Sequence, residues 1–269
     1  FGGNPAAVCL VPSEMELSDE VQQKIAAEMN ISETCYIKLT PLNSKGEPPR
    51  YNLRWFTPTC EVPLCGHATF AAAHVAFEQG VVKGNLIQFM TLSGVLEIMK
   101  RDDGQMRMDL PQGNPVPVEL GPIESLLYEK MNLPKETTIK EVQFCAKTRK
   151  LLVEIDCPNS PQGNGGVLTN LEVNASVLHT LKIEDLDIRG VIVTTAPTEN
   201  DKQYFGKYDF VSRYFAPWNG IQEDPVTGSA HTVLFVHWGK KIKREEGLRA
   251  RQASKRGGDL LLLPGGEGR

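Results

Sequence analysis

The chain has 269 residues, with 29 basic and 33 acidic side chains and a net charge of -4. Apolar residues make up 41% and charged residues 23%, an ordinary globular composition that excludes disorder as the main state. The mild acidity argues against a nucleic-acid binder, no apolar run approaches the roughly 18 residues of a membrane span, and the length suits about two domains.

The cysteines Cys9, Cys35, Cys60, Cys65, Cys145 and Cys157 show no regular framework. They read as reduced thiols of a cytosolic protein. The chain opens at Phe1 and closes on a Leu- and Gly-rich tail, and is expected to be a fragment with strands missing at its ends.

Along the chain, residues 1–5 form a turn and 6–12 a buried strand. Ser18 is the N-cap of a helix running to about Met29. Residues 30–34 read as a helix-exit loop, and 35–39 and 51–56 as strands. Residues 66–79 form a helix with Ala68, Ala71, Ala72, Val75 and Ala76 on its apolar side, ended by Gly80. Val95 to Met99 and Met106 to Leu110 make a hairpin across Asp103-Gly104. Pro111, Pro115, Pro117 and Pro122 mark a linker. Beyond it come a helix from about Glu124, strands at 142–144 and 151–154, a helix at 175–181, strands at 191–195 and 208–215, and a helix starting near Gly228. The class is α+β.

A motif occurs twice. Arg54-Trp55-Phe56-Thr57-Pro58 is followed by Glu61-Val62-Pro63-Leu64-Cys65-Gly66-His67-Ala68. Arg213-Tyr214-Phe215-Ala216-Pro217 is followed by Glu223-Asp224-Pro225-Val226-Thr227-Gly228-Ser229-Ala230. Each copy is a strand, a loop and a helix start, which suggests a duplicated fold. We expect an N-terminal lobe of residues 1–112 and a C-terminal lobe of 113–269, with the active-site cleft between them. Gly66 and Gly228 fall in the first helical turn, where free N–H groups favour an anion such as a small carboxylate. The plain alternative is two ordinary glycine turns in a duplicated scaffold.

Several side chains in these motifs could carry chemistry. Glu33 lies between a helix and an apolar strand, where burial would raise its pKa into the acid–base range; a solvated loop glutamate is the competing reading. His67 is either a hydrogen-bonding imidazole kept neutral by the helix N-terminus or a helix-end residue with a local partner. Asp224 is a second carboxylate or an Asx-turn residue. Ser229 is a donor to a carboxylate or a helix cap; it lacks the G-x-S-x-G setting of a nucleophile. Cys65 is a thiol at a helix start, where its pKa can fall. The spacing of Cys60, Cys65 and His67 fits no common zinc signature, so no metal is expected.

Gly3-Asn4-Pro5-Ala6-Ala7-Val8, Asn30-Ile31-Ser32-Glu33-Thr34, Cys65-Gly66-His67-Ala68-Thr69 and Glu223-Asp224-Pro225-Val226-Thr227-Gly228-Ser229-Ala230-His231, with the Arg54 to Pro58 motif, resemble the PhzF family of phenazine-biosynthesis-like proteins. The resemblance spans nearly the whole chain, and its wording is nearest to the animal members. It implies the diaminopimelate-epimerase-like fold, two lobes each wrapping a sheet around a central helix. It implies an isomerase that moves a proton without a cofactor, with Glu33 as general acid/base. His67, Asp224 and Ser229, with Gly66 and Gly228, would hold a small-molecule carboxylate substrate. A cytoplasmic homodimer, with no nucleic-acid or membrane partner, is expected with it. Thr227 stands where related epimerases carry a second thiol. A symmetric two-thiol epimerase is therefore not expected, and Cys65 is left as an auxiliary group. A Cys65-assisted epimerase and a non-catalytic binding protein on the same fold are the alternatives.

Overall fold

The computed structural model describes residues 2–42, 47–244 and 247–265. Phe1 of the opening turn, residues 43–46 of the loop between the second and third strands, and residues 266–269 of the tail lie outside the described residues. The chain divides into two compact units, Pro5–Leu110, and Pro111–Arg269 together with Phe1–Asn4.

The first unit contains β1 (Ala6–Val11), α1 (Asp19–Met29), β2 (Glu33–Lys38), β3 (Arg50–Phe56), β4 (Glu61–Val62), α2 (Gly66–Glu78), β5 (Leu86–Thr91), β6 (Gly94–Lys100) and β7 (Met106–Met108). Ser18 caps α1 by accepting the N–H of Val21 at 3.3 Å. Asn30 ends the helix in the left-handed region at φ 48°. That reversal brings the chain directly into β2, so Glu33 and Thr34 are strand residues rather than part of the expected loop. β1 runs parallel to β2 with Ala6 opposite Glu33. β2 and β3 are antiparallel, β3 and β5 parallel, and β5 and β6 antiparallel. The hairpin across Asp103-Gly104 forms as expected, with Ile98 opposite Met108. β5 is a strand that sequence reading passed over. α2 packs on the sheet through Ala68, Ala72, Ala73 and Ala76, all fully buried. Small side chains on that face let the helix backbone sit close to β1 and β2, where dense packing is most favourable.

The second unit contains β8 (Val116–Pro117), α3 (Glu124–Met131), β9 (Thr138–Cys145), β10 (Lys150–Asp156), α4 (Gly163–Thr169), α5 (Ala175–Leu178), β11 (Gly190–Thr195), α6 (Lys202–Phe205), β12 (Phe210–Phe215), α7 (Gly228–Ile242), β13 (Leu248–Gln252) and β14 (Gly258–Leu262). The proline-rich segment is only partly a linker. Val116 and Pro117 pair with Phe144 and Gln143 as an edge strand, the position in a sheet where proline is tolerated. β10 and β11 are parallel, β11 and β12 antiparallel, β12 and β13 parallel, and β13 and β14 antiparallel. That is the order of β1, β2, β3, β5 and β6 repeated. α7 stands in the place of α2, with Ala230, Val233 and Leu234 packed on Leu152, Ile192 and Tyr214.

The duplicated motif has the same geometry in both copies. Arg54 Nε lies 2.7 Å from Glu61 Oε1, and Arg213 Nε lies 2.7 Å from Glu223 Oε1. Each guanidinium also covers the next phenylalanine, Phe56 or Phe215, at 5.0 Å.

Gly190 at the head of β11 cannot carry a side chain. A Cβ there would lie 2.2 Å from Tyr214 Oη. Gly190→Ala is therefore expected to cost about 2–3 kcal/mol through overpacking, read by urea denaturation. Tyr214→Phe in the same chain should return part of it, because the hydroxyl is the nearest obstacle.

Candidate active site

In the first unit, three sequence-predicted residues come together. Glu33 is 7% exposed at the head of β2. His67 is the second residue of α2, with its Nε2 3.1 Å from Glu33 Oε2. On the other side of the ring, Nδ1 lies 3.4 Å from Cys65 Sγ. Cys65 is the N-cap residue of α2, with φ -144° and ψ 107°. Its carbonyl accepts the Thr69 hydroxyl at 2.6 Å. Cys35 fixes the strands against the helix start, since its thiol donates to Ala7 O at 3.2 Å and to Ala68 O at 3.6 Å. Burial pushes the Cys35 thiol up to about 12, so it stays protonated and remains a donor.

Carboxylate, imidazole and thiol thus form a compact cluster, with one ligand atom of each within 4.8 Å of the others. Glu33, Cys65 and His67 are near enough for a shared ion. A second group, Glu141, Glu154 and His237, is equally close. There the Lys241 ammonium is already the cation, 2.9 Å from Glu141 Oε2 and in contact with Glu154.

In the second unit, Asp224 is 8% exposed, and each of its carboxylate oxygens accepts a hydrogen bond. Oδ1 accepts from Asn4 Nδ2 at 2.6 Å, and Oδ2 accepts from the Thr227 hydroxyl. The backbone N–H donates to Tyr214 O at 3.0 Å. Gln252 joins the cap of α7 to this residue, donating to Asp224 O at 2.6 Å and accepting the Thr227 N–H at 2.8 Å. Thr227, with φ -123° and ψ 104°, takes the N-cap place that Cys65 has in α2. Gly228 and Ser229 open α7. Its first turn presents N–H groups of the kind that favour anions.

Asn4 and Gln252 were missed as site residues. Asn4 stands in the Gly3-Asn4-Pro5 turn, a signal of local geometry only, and Gln252 has no sequence signal at all.

His231, the last residue of the second motif, lies in the core, 2% exposed, with Nδ1 2.8 Å from Thr227 O and its ring stacked on Phe210. Burial holds its pKa down at about 4, below that of an unfolded histidine. The unfolded chain therefore binds the proton first as pH falls. The stabilisation is complete above about pH 6.5 and is lost towards pH 4, about 3 kcal/mol in all. Urea denaturation of wild type and His231→Leu at pH 7 and pH 4.5 should show the variant losing less stability over that interval.

A sheet ordered in this way around one helix, and then repeated, defines the diaminopimelate-epimerase-like class of α+β folds. A predicted epimerase of Pseudomonas aeruginosa shares the fold at a TM-score of 0.65, with 16% identity and coverage of 100% of this chain and 88% of that one.

Within that class the chain belongs to the PhzC-PhzF family, whose model, described as phenazine biosynthesis-like protein, matches residues 1–263. Mouse phenazine biosynthesis-like domain-containing protein 1 is 41% identical over 269 residues, which cover 99% of this chain and 88% of that protein. An uncharacterised isomerase of Halalkalibacterium halodurans is 39% identical over 264 residues, covering 97% and 85%. The crystal structure of a PhzF-family protein of Enterococcus faecalis superposes at a TM-score of 0.77, with 33% identity and coverage of 98% and 86%. Among the described residues, no helix is long and apolar enough to cross a membrane.

Proposed function

We propose that this chain is an isomerase that moves a proton within a small amino or hydroxy acid without a cofactor. The observation that carries the reading is Glu33, buried at the head of β2 with the His67 imidazole 3.1 Å away. Bacterial relatives named as isomerases support the class.

Glu33 takes a proton from a carbon made acidic by its neighbouring carboxylate and returns it to another. A single carboxyl can act first as base and then as acid when the substrate holds both carbons near it and water is excluded. His67 orients that carboxyl. Together with Gly66, Asp224, Gly228 and Ser229, it binds the substrate's amino and carboxylate groups. A cytoplasmic homodimer belongs to the same proposal.

The contact between Cys65 Sγ and His67 Nδ1 favours one second reading, an epimerase in which the thiol supplies or takes the second proton.

Proton NMR in heavy water tests the proposal, with a panel of small unsaturated and saturated amino and hydroxy acids. Deuterium entering carbon with wild type, but not with Glu33→Gln, supports it. Exchange that survives Glu33→Gln sinks it. Absence of exchange across the panel moves the weight to a non-catalytic binding protein.

A further inference from the structure

Lys150 has no place in the set described so far. It opens β10, opposite Cys145 on β9 and Gly190 on β11, and is 7% exposed. An ammonium has three protons to donate. Lys150 Nζ uses one, on Thr148 O at a long 3.3 Å, and otherwise faces the Tyr214 ring at 5.4 Å. Among the described residues no carboxylate stands at ion-pair distance from it. The Thr148 hydroxyl oxygen is also buried without a hydrogen-bond partner. Burying a charge and a hydroxyl with so few partners is costly unless something else meets them.

The surroundings place this ammonium on the Asp224 side of the unit. Asp224 donates its N–H to the carbonyl of Tyr214, whose ring faces Lys150. Tyr214 packs in one cluster with Ala230 and Val233 of α7. Burial pulls the Lys150 amine down to about 8, and the charges of Cys145 and Asp224 partly offset it. Most molecules still carry the ammonium at neutral pH.

The internal repeat sharpens the contrast. In the first unit the register sets Ala6 opposite Glu33. In the second it sets Lys150 opposite Gly190. By place in the two sheets, Lys150 stands where Ala6 does and Gly190 where Glu33 does, so the second copy carries its ionisable group on the neighbouring strand.

We infer that Lys150 is a substrate-binding residue whose ammonium takes a second carboxylate of the substrate. This rests on the isomerase reading, in which the first turn of α7 and Ser229 take one carboxylate and Asp224 the amino group. A separate cation with no acid of its own then matches a further acidic group. The substrate class narrows to dicarboxylic amino or hydroxy acids.

The test is an NMR pH titration of the lysine side chains in full-length protein labelled at lysine Cε and Nζ. Lys150→Met assigns the signal, and Lys150→Arg does so if the first variant fails to fold. The probes are succinate, glutarate and both enantiomers of glutamate, with acetate and alanine as single-acid controls. A dicarboxylate should raise the Lys150 midpoint by about one unit, tenfold in preference for the charged form. Lys150→Met should bind that compound about tenfold more weakly, and the controls should leave the midpoint unmoved. A midpoint that no dicarboxylate moves overturns the inference, and so does one that acetate moves equally.

The readout needs no turnover, which separates this failure from that of the isomerase reading. A shift without heavy-water exchange removes the isomerase and keeps the site. Exchange with no shift, and an unchanged KM in Lys150→Met, removes the site and keeps the isomerase.

Discussion

Glu33→Gln is expected to lower carbon–deuterium exchange by about 10²–10⁴-fold, the range that a positioned acid–base group contributes. The amide has the shape of the carboxyl and can still face His67 Nε2, but it cannot take a proton at neutral pH. The backbone of residue 33 keeps its pairing with β1, so thermal unfolding should be nearly unchanged. The loss should appear in kcat more than in KM, because proton abstraction is made in the transition state. Glu33→Asp withdraws the carboxyl by one methylene and should retain an intermediate rate, since a displacement of about 1 Å can cost 10²-fold. Cys65→Ser separates the two catalytic readings. Near-normal exchange leaves Glu33 as the only shuttle, whereas exchange as low as in Glu33→Gln makes the thiol a partner in the proton transfer. An unaltered rate in Glu33→Gln would remove both.

Local patterns made much of this molecule legible. Ser18 as a cap, the alanine face of α2, the Asp103-Gly104 hairpin and the two Arg-aromatic-Phe motifs are short-range signals, and the structure has each of them. What escaped depends on contacts far apart in sequence. Asn4 meets Asp224 across 220 positions, and no nearby residue announces that bond. Gln252 joins the cap of α7 from a strand beyond the helix. Lys150 stands in Thr148-Arg149-Lys150-Leu151, wording that suits a solvated strand end; only the sheet register and the Tyr214 ring reveal its burial. β5 was missed because its alternation rests on Ile87 and Phe89 alone, too short a run to separate from a loop. The helix-exit expectation at Glu33 failed for a related reason. Polar residues after a cap look like a loop until the partner strand, β1, is known.

The two copies of the arginine–glutamate pair should differ sharply in what they contribute, although their bond lengths are alike. Arg213 keeps 10% of its side-chain exposure and Glu223 20%, against 32% and 25% for Arg54 and Glu61. Arg213 Nη1 is also enclosed by backbone oxygens, those of Leu168 at 3.1 Å, Thr169 at 3.4 Å and Leu171. Arg54 has a second anion, Asp19, at 2.6 Å from Nη1. Glu223→Gln therefore strands a buried cation, and about 3–5 kcal/mol should be lost. Glu61→Gln leaves a half-exposed cation with Asp19 still beside it, and about 1 kcal/mol is expected. Urea denaturation of the two variants reads the difference directly. Because the cost in the second copy comes from an uncompensated charge, removing both partners should recover much of it. Arg213→Met with Glu223→Met should be more stable than Glu223→Gln alone. Equal losses in the two copies, or a double variant no better than the single, would mean that the buried pair acts through its shape and its carbonyl contacts rather than through its charge.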